Sequence, residues 1–170
     1  MSALTRVHEA RQDFCEYLNN ERANLRNRSV TDTGAIFFLE QVRYVIDIMQ
    51  ILCVITPDEA TEIEHLVTFN IATPYTFTSH VDWQINNWDL TTTNPECIEI
   101  WWGARFRETA RQWILPYTIT KDVCEKHEIL DTAEAWLKVC EILRILPQSE
   151  HQQTALHIQK ERRELTGGNP

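Results

Sequence analysis

Glycine is scarce in this chain. It has four in 170 residues, Gly34, Gly103, Gly167 and Gly168, and the last two belong to the closing TGGNP. So little glycine leaves few tight turns, which argues against a β-sandwich or barrel and for helices with short connections. The scarcity also removes chemistry. There is no Gly-x-Ser-x-Gly elbow, no phosphate-cradling loop and no Gly-x-Gly-x-x-Gly turn, and a His-Glu-x-x-His pair is missing too. No apolar run is long and clean enough for a membrane span. The longest, AIFFLEQVRYVIDIMQILCVI, is interrupted by Glu40, Arg43 and Asp47. The N-terminus lacks the apolar stretch of a secretory leader. The five cysteines are odd in number and loosely spaced, which suggests reduced thiols and an intracellular, cytoplasmic protein.

Basic residues are missing from the middle of the chain. Residues 29–103 hold eleven acids against Arg43 alone, residues 1–28 are slightly basic, and residues 104–170 are balanced. The net charge of −9 therefore lies in one segment, and a phosphate backbone could be met only by the two ends. Apolar residues make up 43%, enough for a core and too many for a disordered chain.

What is present reads mainly as helix. Leu4, Val7, Phe14, Leu18 and Leu25 form one stripe over 3–28, with Ser2 as N-cap. In 35–54 the polar residues are the periodic ones. Glu40, Arg43, Asp47 and Gln50 make a single narrow wet stripe, so this helix is expected at the centre of the bundle. Thr56, Pro57 and Glu59 start a third helix running to about Phe69. Further helices are predicted at 104–114, ended by Pro116, at 121–130 with Thr120 as cap, and at 132–146, opened by Asp131 and Glu134 and stopped by Pro147. A last, polar one starts at Ser149.

Between them the period changes to two. Tyr75, Phe77, Val81, Trp83 and Ile85 alternate, as do Ile98, Ile100 and Trp102, and Asn94-Pro95 reads as loop punctuation. The expected fold is α+β and predominantly helical. A bundle of five to seven helices carries one small antiparallel strand pair, near 75–86 and 97–102. One domain spans 1–170, with 166–170 as a disordered tail.

Three constellations carry possible chemistry. Ser79, His80 and Asp82, with Glu99 across the strand pair, have the residue types for acid–base work, giving a hydrolase or nuclease reading. They equally describe the wet side of a half-exposed sheet. Cys124 and His127 are three apart, with Cys140 later, but a zinc site needs a fourth ligand that only the fold can nominate from His151 or Cys97. Arg105, Arg107 and Arg111, beside Trp101 and Trp113 and helped by Arg22 and Arg26, form an Arg/Trp face suited to RNA.

A protein contact is the favoured reading. Six tryptophans are more than one core of this size needs, and tryptophan concentrates binding energy at interfaces. Arginine outnumbers lysine twelve to four, which suits directional contacts. Trp101 falls off the apolar stripe of its element and Trp88 lies in a polar loop. Both are therefore expected at a contact surface with Arg105 and Arg107 at its rim. The expected protein is non-catalytic and needs no cofactor or metal. It would associate with itself or a protein partner, with nucleic acid disfavoured by charge and no membrane involved.

Overall fold

The computed structural model describes residues 1–27, 33–77 and 85–167. Among them are six helices: α1 (Ala3–Arg26), α2 (Thr33–Ile51), α3 (Pro57–Thr68), α4 (Pro95–Ile119), α5 (Val123–Leu143) and α6 (Gln148–Leu165). The bundle is organised on α5, which packs against α1, α2, α4 and α6. Helix α2, expected at the centre, lies to one side of it against α1, α3 and α5. Its wet stripe is as expected, with Glu40 and Asp47 exposed and Val42, Val45, Ile46 and Met49 sealed.

The N-terminal caps follow from their sequences. Ser2 accepts from the Thr5 amide at 3.3 Å. Thr56 and Glu59 close a reciprocal capping box, with Pro57 in the first helical turn. Asp122, not Thr120, caps α5 by accepting from Cys124 and Glu125. The helices expected at 121–130 and 132–146 are thus one. Asp131 and Glu134 do not open a helix; both accept from Arg162 on α6.

The expected strand pair is not found: no strand occurs among the described residues. The stretch 97–102 is the start of α4. Asn94 caps it by accepting from the Glu96 amide at 3.0 Å, and Pro95 takes the first helical position, so the pair read as loop punctuation is a helix start. Ile98, Trp102 and Phe106, four apart, form the buried stripe, while Ile100 is 69% exposed. Gly103 is not a strand end either. It is buried inside α4, where a β-carbon would lie 3.3 Å from Arg107 Nη1 and 3.8 Å from the Ile145 carbonyl. Helix α4 also continues through Pro116 to Ile119.

The other expected strand falls partly on 78–84, outside the described residues, so Val81 and Trp83 of the alternation are not placed. Residues 71–77 form an irregular strap laid along α1. The Asn19 carboxamide takes both backbone groups of Tyr75, each at 2.9 Å, as a neighbouring strand would. Arg22 donates to the Ile71 and Thr73 carbonyls. A tight turn follows at 85–88: Asn86 and Asn87 have φ of 53° and 59°, and the Trp88 amide donates to Ile85.

Candidate interaction surface

The polar side chains buried most deeply belong to α1 and serve the fold. Arg6 is 5% exposed, donates to Glu99 Oε1 at 2.6 Å and to the Leu143 carbonyl, and lies 5.3 Å from the Trp102 ring. Arg11 is 2% exposed, grips both carboxylate oxygens of Glu59 and the Val54 carbonyl, and lies over Phe77 at 3.9 Å. Arg22, at 2%, holds the strap. Sequence reasoning missed Arg6 and Arg11, and it placed Arg22 on an RNA face. A signal existed: Val7, Arg11, Phe14, Leu18 and Arg22 are spaced along one face, so two arginines sit inside the apolar stripe.

The Trp101–Arg105 region sits where α4 meets the segment just after α2. The Trp102 indole donates to the Leu52 carbonyl at 2.9 Å and is fully buried, which ties α4 to the segment that follows α2. Its neighbours Trp101 and Arg105 are half-buried on the adjacent face, with the guanidinium 6.0 Å from the Trp101 ring. Cys53 is near enough for its thiol, pushed up by burial, to be pulled back by the Arg105 charge. Glu108 sits 3.7 Å from Arg105 in an exposed pair, while Arg105 Nε is buried with no hydrogen-bond partner among the described residues. Trp101 and Arg105 make a small aromatic and cationic patch.

The other predicted site residues are scattered. Arg107 makes a two-pronged pair with Glu150 on α6, both bonds 2.9 Å. Trp88 is half-buried against the core beside the 85–88 turn. Of the RNA set, Arg26 and Arg111 are exposed, Arg22 is sealed inside and Arg107 is paired; the side chain of Trp113 lies outside the described residues. Ser79, His80 and Asp82 also lie outside them. Glu99, read as facing them, is on α4 and bonds Arg6. Cys124 is exposed in the first turn of α5, whereas Cys140 is sealed near its far end, where burial raises its thiol pKa. Among the described residues no three metal-ligating side chains gather, and no helix is long and apolar enough to cross a membrane.

Compared with known protein families, curated proteins and solved structures, the chain matches none. A cleft of about 510 Å³ also runs between α4, α5 and α6, with Ala110, Ile129, Leu130, Ala133 and Ile158 along it and Tyr117 and Glu161 at its rim. The Tyr117 hydroxyl is pushed up to about 12 by burial, then by its hydrogen bond to Glu161.

Proposed function

We propose that this chain is a non-catalytic protein–protein interaction or assembly protein, acting inside the cell as a homo-oligomer or as a subunit of a larger complex. The observation that carries the reading is the Trp101–Arg105 patch. A partly exposed tryptophan with a guanidinium 6.0 Å from its ring is the composition that interface anchors favour. Trp102 fills the core and bonds Leu52, whereas Trp101 packs against the core's edge and keeps part of its ring exposed.

Native mass spectrometry under reducing conditions, paired with the Trp101→Ala variant, tests the reading. A species at a multiple of 20.0 kDa, or a defined complex with a second protein, is expected. Trp101→Ala should weaken it by about 2 kcal/mol or more, roughly thirtyfold in Kd. If the variant assembles and captures partners as the parent does, the surface assignment is wrong.

A further inference from the structure

Helix α6 is attached differently from the helices it covers. It seals one side chain, Ile158, where α1 and α5 each seal eight. Ala155 and Leu165 contribute only partly buried contacts. No side chain caps its N-terminus, where Pro147 stands. The cleft of about 510 Å³ along Ile129, Leu130 and Ala133 leaves its apolar seam with α4 and α5 open on one side.

Charge supplies much of what holds it. At the first turn Glu150 accepts twice from Arg107 of α4. Twelve residues on, about 18 Å along a helix, Arg162 donates to Glu134 at 2.6 Å and to Asp131, both on α5. Glu161 adds a hydrogen bond to Tyr117. None of these ion-pair side chains is fully buried; their exposures run from 23% to 45%. Such pairs are weakened by dissolved salt, whereas apolar seams are not. The short 144–147 connection stays with the bundle: Arg144 sits in the left-handed region at φ 54° and anchors on Asp13 of α1, and Ile145 and Leu146 pack against the core.

We infer that α6 is a salt-released cover. It undocks from α5 as one unit at far lower cost than unfolding the bundle, and its release bares the apolar face of α5 at Leu130, Ala133 and Leu137. This stands apart from the Trp101 surface and does not depend on it.

Hydrogen exchange of the full chain, followed by mass spectrometry in about 0.02 M and about 0.5 M sodium chloride, tests it. The amides of α6 should exchange faster than those of α5 in both, and roughly tenfold faster at the higher salt, while α1 and α5 stay unchanged. The double variant Glu150→Gln, Glu134→Gln should show at low salt the α6 exchange of the parent at high salt, and lose most of the salt response. The inference is overturned if α6 exchanges in step with α5, if salt leaves α6 unchanged, or if the double variant keeps the parent's salt response.

Discussion

Arg11 and Glu59 show how one pair of residues can link three parts of the bundle. Glu59 is 7% exposed and belongs to α3, yet it caps its own helix and receives Arg11 from α1, which also holds the Val54 carbonyl. Burial alone would push the Glu59 carboxyl up. The bonds from Arg11 and from the Thr56 amide outweigh it and hold the group below the ordinary value. Removing one partner strands the other charge, so Glu59→Ala should cost about 3–5 kcal/mol in urea unfolding. Replacing both, as Arg11→Met with Glu59→Leu, removes both charges together and should cost clearly less than the two single changes summed. If the double change costs the full sum, the two residues act independently and the pair is not the unit described here.

At the scale of elements, α4 is where sequence and structure part, and two substitutions separate the readings. On a strand, Ile98 and Ile100 would share a buried face. On the helix, Ile98 is sealed and Ile100 is 69% exposed. Ile98→Ala should therefore cost about 2–5 kcal/mol, while Ile100→Lys should stay within about 0.5 kcal/mol. Equal large losses would restore the strand. The misreading has a physical cause: Ile98, Ile100 and Trp102 fit a period of two, but Ile98, Trp102 and Phe106 fit one helical face equally well. Three alternating residues are too few to decide, and Asn94-Pro95 serves a loop or a helix start alike. The first three helices were legible because their stripes, and the caps of α1 and α3, are local. The roles of Arg22 and Arg107 were not, since the carbonyls of Ile71 and Thr73 and the carboxylate of Glu150 lie more than forty residues away along the chain. Trp101, read from the sequence as pointing away from the apolar face, lies on the helix three residues after Ile98 and is partly buried against the core.

For the whole molecule, the response to acid follows from carboxylates held low by arginines. Glu59 is one. Glu150 is another, drawn down by its bonds to Arg107 against a smaller opposing effect of burial. A carboxyl whose folded value lies below its unfolded one adds stability that is whole above the unfolded value, about 4.3 for Glu. That stability disappears as the pH falls through the lower folded value. Urea midpoints should therefore show no loss from these groups between about pH 7 and pH 5, then fall steeply below about pH 4. Glu59→Gln should start from a lower plateau, having given up the charged pair, and should fall less steeply, because one of the groups that takes up a proton on unfolding is gone. An acid limb of unchanged slope in that variant would mean that Arg11 gains nothing from the Glu59 charge. Arg11 would then serve the fold through the carbonyl of Val54 and the ring of Phe77, on either side of α3, and not through the Glu59 charge.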